Sequence, residues 1–250
     1  MTDLTDDQLL RYARNILLPQ VDVAGQARLL AAHVAVIGAG GLGTPLLQYL
    51  AASGVGTLTV VDDDVVEETN LQRQVIFNHQ HLGQAKVSAA AEVIAQLNPE
   101  IQVNTHQYRL DDTNVADCLR GAELVVIGTD NFSSRYIVNR YCHQQNIPLV
   151  TGAAIGTSGQ ITSFNFQESS RPCFQCVYEQ GDDEALTCAT AGVLGPVVGT
   201  VGSVMAMEVI KILLNIGQPL YGRLLVWDAL AMQWQTFQYG SNDACPVCGV

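Results

Sequence analysis

The stretch that decides the fold is residues 33–64, HVAVIGAGGLGTPLLQYLAASGVGTLTVVDDD. The apolar runs at 34–37 and 58–61 are typical of buried parallel strands. Between them stands a G-x-G-x-x-G pattern, formed by Gly38, Gly40 and Gly43 directly before an apolar-periodic helix. Glycines let a backbone approach a phosphate, and a helix N-terminus offers free N–H groups. The stretch therefore predicts a nucleotide site in a strand–turn–helix–strand unit.

Asp62 stands at the carboxyl end of the second strand, where a dinucleotide-type βαβ unit places its ribose-binding acid, about 20 residues past the glycines. The alternative is a glycine-rich turn that serves only tight packing of the helix on the strand. The motif does not name the nucleotide, because several classes of enzyme share it.

The composition is that of an acidic chain with few charged residues. They make up 14% of the 250 residues, and the formal net charge is −12. The low charged fraction predicts extra buried surface, as in an oligomer. The negative charge argues against a nucleic-acid or anionic-membrane partner. The polar N-terminus does not resemble a signal peptide, and Glu208 and Lys211 interrupt the long apolar run 193–216. We expect a buried helix and a cytoplasmic protein without a membrane partner.

Strand and helix patterns alternate through the first 150 residues. This predicts an α/β fold with a Rossmann-like, doubly wound and mostly parallel sheet. Expected strands after the first two lie at 101–105, 124–128, 148–151, 159–166, 224–228 and 233–239, and the last ones extend the sheet with antiparallel strands. We expect one unit over residues 1–250, with a nucleotide-binding half at about 30–150 and a second half at about 151–250.

The N-terminal region predicts one helix and one connection. Thr5 and Gln8 form a capping box before a helix that ends at Pro19, and residues 21–32 read as a connecting segment.

Two C-x-x-C pairs indicate a metal site. They are Cys173 with Cys176 and Cys245 with Cys248. Four thiolates complete a tetrahedral structural zinc site and leave no position open for catalysis. The alternatives are two unrelated thiol pairs or a redox pair. Cys188 lies outside both pairs, as a reactive thiol or a small buried hydrophobe.

Arg73, Lys86 and Asp130 distinguish the possible functions. A nicotinamide or flavin oxidoreductase needs only the opening motif. An ATP-dependent adenylating enzyme also needs cations for phosphates and a carboxylate for Mg²⁺, and these three residues meet that requirement. A third, non-enzymatic interpretation is a nucleotide-sensing or scaffold protein.

Several stretches together resemble the HesA/MoeB/ThiF family, the bacterial relatives of ubiquitin-activating enzymes. The resemblance covers about residues 9–249. It is carried by the opening stretch, TNLQRQ at 69–74, GQAK at 83–86, GTDN at 128–131 and the paired C-x-x-C motifs. It implies that ATP and Mg²⁺ are used to adenylate the C-terminal glycine of a ubiquitin-like sulfur carrier protein ending in Gly-Gly, with release of pyrophosphate.

The resemblance also implies roles for individual residues. Asp62 would hold the ribose and Asp130 the Mg²⁺. Asn70, Arg73 and Lys86 would contact the phosphates. The wider nucleotide-binding set is Gly38, Gly40, Gly41, Gly43, Thr69, Leu71, Gln72 and Asn131. Arg14, in RYARNILL, would reach the partner's ATP site in a homodimer, and Cys188 matches a cysteine that forms a covalent link to the carrier.

Two branches of the family fit the chain. The stretches GTPLLQYL and ACPVCG favour the ThiF type, which serves thiamine thiazole biosynthesis with a ThiS carrier. The stretches DDEALTCATAG and GAAI favour the MoeB type, which acts on the MoaD carrier in molybdenum cofactor biosynthesis. We favour the ThiF type and keep the MoeB type as the alternative.

Overall fold

The computed structural model describes residues 4–167, 172–179, 181 and 191–249. Its strands are β1 (His33–Ile37), β2 (Thr57–Val61), β3 (Gln102–His106), β4 (Leu124–Ile127), β5 (Leu149–Ile155), β6 (Ser158–Phe164), β7 (Arg223–Asp228) and β8 (Gln233–Gln238). In the described part they form one sheet, in the order β3-β2-β1-β4-β5-β6-β7-β8. Strands β1 to β5 are parallel, and β6 to β8 continue the sheet in antiparallel pairs. The predicted fold class is confirmed.

The helices cover both faces of this sheet, as its two buried clusters of apolar side chains show. The described α-helices are α1 (Asp6–Arg11), α2 (Ala13–Ile16), α3 (Asp22–Ala31), α4 (Gly43–Ala52), α5 (Lys86–Leu97), α6 (Val115–Cys118), α7 (Phe132–Gln145), α8 (Phe174–Val177) and α9 (Gly195–Leu214). Short 3₁₀ turns at Glu68–Asn70 and His79–His81 interrupt an otherwise irregular segment between β2 and α5.

The N-terminal region differs from the sequence prediction in two ways. The Thr5 capping box is present, but the chain leaves helical geometry at Tyr12, so α1 and α2 are separate. The Tyr12 ring is buried in the core at this break, and its hydroxyl accepts a hydrogen bond from the Asn98 side chain. The expected connection at 21–32 is in fact helix α3.

Strand β5 is longer than its predicted range of 148–151. It pairs in parallel with β4 only over Leu149–Thr151, whereas its whole length pairs in antiparallel with β6. The second partner therefore extends the strand through residues 152–155, of which the first three, Gly-Ala-Ala, have small side chains that favour no strand.

Helix α9 is buried, as predicted. By length and composition alone it could cross a membrane. It packs instead against α3, α4 and strands β4 to β6. Glu208, 2% exposed, joins this helix to the sheet, because it accepts hydrogen bonds from Ser163 Oγ at 3.0 Å and from the Leu220 N–H at 2.8 Å, and it pairs with Lys211. Core packing accounts for the apolar composition of the helix.

Candidate functional site

A cleft of about 420 Å³ opens beyond the carboxyl ends of β1, β2, β4 and β5. Parallel sheets of this kind bind ligands at that edge. The predicted residues that line it are Gly38, Gly40, Gly41, Asp62, Thr69, Asn70, Arg73, Lys86, Asp130 and Asn131. Gly43, Leu71 and Gln72 are not among the described residues that line it.

The glycines of the β1–α4 loop have different roles. Gly38 has φ +97°, and a side chain there would meet the backbone of Gly128 and Thr129 at 3.0 Å. A side-chain carbon on Gly43 would lie 1.9 Å from the Gly38 carbonyl oxygen. These two glycines therefore allow the loop to pack closely against its neighbours. A side-chain carbon on Gly40 would meet only Gln74 Nε2, at 3.8 Å, apart from the adjoining residues of the loop, so this glycine leaves room for a ligand in the cleft.

Asp62 fastens the glycine loop to the end of β2. Its Oδ2 accepts a hydrogen bond from the Ala39 N–H at 2.7 Å, and its Oδ1 accepts one from the Asp64 N–H at 2.9 Å. Burial raises the pKa of Asp62, although nearby Lys86 and the two N–H donors lower it. Because the helix α4 starts from this loop, the carboxylate sets the position of the helix N-terminus at the cleft.

The cations predicted to contact phosphates both face the cleft. Lys86 is the first residue of α5, and its side chain is 6% exposed. Its Nζ lies 2.7 Å from Oδ2 of Asp64. Arg73 is half-buried and donates from Nη1 to the Thr69 carbonyl at 3.0 Å. Both cations are held in place by neighbouring oxygens, so a phosphate between them meets donors that are already oriented.

The GTDN turn, between β4 and α7, lines the same cleft as the two cations. Asp130 is exposed at the cleft, and a carboxylate of this kind is a typical Mg²⁺ ligand. Asn131 caps α7 by accepting a hydrogen bond from the Ser134 N–H at 2.9 Å. Asn131 therefore fixes the turn that presents Asp130.

Arg135 is a cleft residue that the sequence analysis missed. It is 6% exposed. Its Nε donates to the Thr129 carbonyl at 3.0 Å, and its Nη2 donates to the same carbonyl at 2.5 Å and to the Gly152 carbonyl at 3.0 Å. It lies 5.8 Å from the ring centroids of both Phe132 and Phe174. Arg135 thus joins the carboxyl ends of β4 and β5. Its position four residues after Asn131, on the same helical face, is the signal that could have indicated it.

The four predicted metal ligands lie together. Their Sγ atoms are within 4.8 Å of one another, with Cys173 3.6 Å from Cys245 and Cys176 3.2 Å from Cys248. Each is a free thiol in the described structure. Thiolates bound to one zinc ion at about 2.3 Å are roughly 3.8 Å apart. The donor set and its spacing fit a four-thiolate zinc ion, which would tie the C-terminal segment to α8.

Two predicted residues are not placed in the cleft. Arg14 is exposed on α2 and is not among the described residues that line the cleft of its own chain. Cys188 lies outside the described residues, so its prediction stays untested.

Comparison with known proteins finds a matching protein family and several similar proteins. The ThiF family matches residues 12–247. The SAMP-activating enzyme E1 of Haloferax volcanii is 46% identical over 244 residues, which are 97% of this chain and 89% of that protein. The molybdopterin-synthase adenylyltransferase of Salmonella typhimurium is 42% identical over the whole of both chains. The sulfur carrier protein ThiS adenylyltransferase of Escherichia coli is 39% identical, over 98% of this chain and 97% of that protein.

A solved structure shares the fold. Escherichia coli MccB in a structure with ATP has a TM-score of 0.82 and 24% identity, covering 96% of this chain and 74% of that one. With the cleft at the carboxyl edge of the sheet and the match across nearly its whole length, this chain belongs to the ThiF family.

Proposed function

We propose that this protein is a nucleotidyltransferase that uses ATP to adenylate a ubiquitin-like sulfur carrier protein. The C-terminal glycine carboxylate of a carrier ending in Gly-Gly becomes an acyl-adenylate, and pyrophosphate is released. The observation that carries the proposal is the convergence of the glycine loop, Arg73, Lys86 and Asp130 on one cleft in a ThiF-family chain. Several relatives at about this level of identity are named adenylyltransferases.

The chemistry suits the groups in the cleft. The carrier carboxylate is itself the nucleophile, so its attack on the α-phosphate needs no serine, cysteine or general base from the enzyme. The chain has to align the two reactants and to stabilise charge on the phosphate oxygens and the leaving pyrophosphate. Lys86, Arg73 and the N-terminus of α4 supply positive charge and N–H donors, and Asp62 would hold the ribose.

Two metals belong to the proposal. Mg²⁺ would be held by Asp130 and would supply charge neutralisation at the phosphates. Zn²⁺ would be held by Cys173, Cys176, Cys245 and Cys248 and would stabilise the fold, because four thiolates leave no open coordination position. If Cys188 forms the covalent link that the family resemblance implies, it acts after adenylation.

An oxidoreductase remains the alternative of another class. It would explain the glycine loop and Asp62. It would not explain Arg73, Lys86 and Asp130, because binding a nicotinamide or flavin requires neither cations for a triphosphate nor Mg²⁺. The cleft therefore favours the adenylating enzyme over the oxidoreductase.

The carrier is the finer part of the proposal. Relatives named for a ThiS carrier and for molybdopterin synthase match at 39% and 42% identity, so the two values do not separate the pathways. The ThiF-type stretches favour a ThiS-type carrier, and a MoaD-type carrier is the alternative. A cytoplasmic location is proposed with either one.

A homodimer completes the proposed site. Arg14 is exposed, and the neighbouring apolar side chains Leu10, Leu17 and Leu18 are 79%, 69% and 52% exposed. Covering these leucines with a second copy would remove apolar surface from water. We propose that this contact carries Arg14 into the partner's cleft.

Carrier-dependent exchange between ATP and pyrophosphate tests the function. We expect exchange with wild-type protein, more strongly with a ThiS-type than with a MoaD-type carrier. Lys86→Ala and Asp130→Ala should each reduce it by roughly 100-fold or more, because the first removes a cation from the phosphate site and the second removes the proposed Mg²⁺ ligand. Arg120→Ala is the control, since Arg120 is exposed, pairs with Asp117 three residues before it and is not among the described residues that line the cleft.

The outcomes separate the alternatives. Wild-type exchange rates in either cleft variant, with circular dichroism showing an intact fold, would contradict the assigned roles. Absence of exchange with both carriers, together with tight binding of NAD or a flavin, would support the oxidoreductase.

A further inference from the structure

Gln74 is a buried polar residue in the wall of the cleft, directly under the glycine loop. It is 3% exposed and lines the cleft. Its Nε2 lies 3.8 Å from the point that a side-chain carbon on Gly40 would occupy, and apart from the adjoining residues of the loop no other described atom comes within 4 Å of that point. The amide therefore stands beside Gly40, the glycine of the loop with the most room around its side-chain position.

The backbone of Gln74 is fixed, but its side chain is incompletely bonded. Its N–H donates to the Asn70 carbonyl at 2.9 Å, and its carbonyl accepts from the Phe77 N–H at 3.0 Å. The side-chain Oε1 is buried and has no hydrogen-bond partner among the described residues. Most buried polar groups in proteins have partners, and leaving one without a partner is destabilising. A methionine would fill this space without that penalty, so packing alone does not explain a glutamine here.

We propose that Gln74 is a further nucleotide ligand, whose amide group donates a hydrogen bond to a phosphate oxygen of ATP lying over Gly40. This inference rests on the proposed function, because it takes ATP as the ligand. Phosphate oxygens are strong acceptors, and hydrogen bonds to charged groups are stronger than neutral ones. The amide nitrogen is the polar end of the side chain that lies beside Gly40, so it can donate to that phosphate without rotation of the amide. Gln74 would thus bind phosphate without adding charge beside Lys86 and Arg73.

Gln74→Met is the decisive variant, because it keeps the length of the side chain and removes both polar atoms. We expect its melting temperature without nucleotide to equal or exceed that of the wild type. We expect the dissociation constant of Mg²⁺–ATP, measured by calorimetry without carrier, to rise roughly tenfold. Gln74→Glu should weaken binding further, because a carboxylate repels the phosphate. Gln96→Met is the matched control, since Gln96 is exposed on α5 and is not among the cleft residues.

Three results would overturn the inference. The first is ATP affinity within about twofold of wild type in Gln74→Met. The second is a fall in its melting temperature large enough to show that the amide supports the fold. If that variant does not fold, wild-type affinity in Gln74→Glu is the third. A wild-type protein that binds no ATP would overturn the proposed function as well, whereas tight wild-type binding with no effect at Gln74 would overturn this inference alone.

Discussion

Asp62 shows how one side chain of the cleft serves both fold and function. The sequence predicted a ribose-binding acid at this position. In the structure its two oxygens also accept hydrogen bonds from the Ala39 and Asp64 N–H groups, so the carboxylate anchors the glycine loop. Removing it should therefore change the loop that would bind phosphate as well as the contact with the sugar.

The pKa of Asp62 gives a prediction with a definite sign. Burial raises this pKa above the usual 3.8, so the folded protein holds the proton more tightly than the unfolded chain does. The stabilisation from proton binding is complete below 3.8 and is lost as the pH rises through the folded-state pKa. As the pH is lowered from neutrality towards 3.8, the free energy of unfolding of wild type should rise relative to that of Asp62→Asn.

Denaturant unfolding of both proteins across this pH range measures the effect. Using the difference between them cancels the titration of the other groups. A difference that stays flat, or that favours Asp62→Asn as the pH falls, would show that burial does not control this carboxyl.

The sequence predicted the charged cleft residues better than the buried polar ones. Lys86, Arg73 and Asp130 were found because their charge matches a phosphate and its metal. Arg135 and Gln74 were missed because residue type does not reveal which polar groups the fold buries. Arg135 is held in the cleft by hydrogen bonds to the Thr129 and Gly152 carbonyls, which are distant in sequence from each other. Contacts of this kind exist only once the sheet has formed.

At the scale of elements, predictions succeeded where local patterns decide the structure. Strands β4 and β7 match their predicted ranges to within one residue at each end, whereas α3 was read as a connection. Gly25 in its interior lowers the helix propensity. Asp22 stands at its start with φ +52°, and its side chain accepts hydrogen bonds from the Ala24 and Gly25 N–H groups. Asp22, which precedes the apolar residues Leu29 and Leu30 by about two helical turns, was the residue that could have indicated a capped helix.

Helix α8 carries a prediction about metal. With four residues it is too short to be stable by itself, and it holds Cys173 at its N-cap and Cys176 in its only turn. We expect metal analysis of purified protein to give one zinc ion per chain. Cys248→Ser should lose most of that zinc and should lower the melting temperature, because the C-terminal segment would lose its attachment to α8.

A cysteine outside the cluster provides the control. Cys142→Ser changes a buried thiol on α7 that is not one of the four ligands, so its zinc content should equal that of wild type. Well under one zinc per chain in wild-type protein would refute the metal site.

At the scale of the whole molecule, one sheet brings together groups from distant parts of the chain. Strands β1 to β5 form the carboxyl edge at which the cleft opens, and β6 to β8 extend the sheet beyond it. Arg14 is the predicted site residue that this arrangement leaves exposed on a helix outside the cleft of its own chain. A second copy of the chain is therefore needed if Arg14 takes part in the reaction.

Mixing two inactive variants tests whether Arg14 acts across a homodimer. Arg14→Ala and Lys86→Ala should each abolish carrier-dependent exchange as pure proteins. In a mixed dimer, the chain with Lys86 intact receives Arg14 from its partner and forms one complete site. With random pairing, half of the dimers are mixed and one of their two sites is complete, so equal amounts should recover about a quarter of wild-type activity.

The experiment distinguishes action in trans from action within one chain. If Arg14 served its own cleft, every site in the mixture would lack either Arg14 or Lys86, and no activity would return. Subunits have to be exchanged by mild denaturation and refolding, and each variant treated alone is the control for that step. Recovery near a quarter, together with a dimeric mass in solution, would establish that each active site is built from two chains. Absence of recovery in a dimer shown to have exchanged its subunits would remove Arg14 from the partner's site.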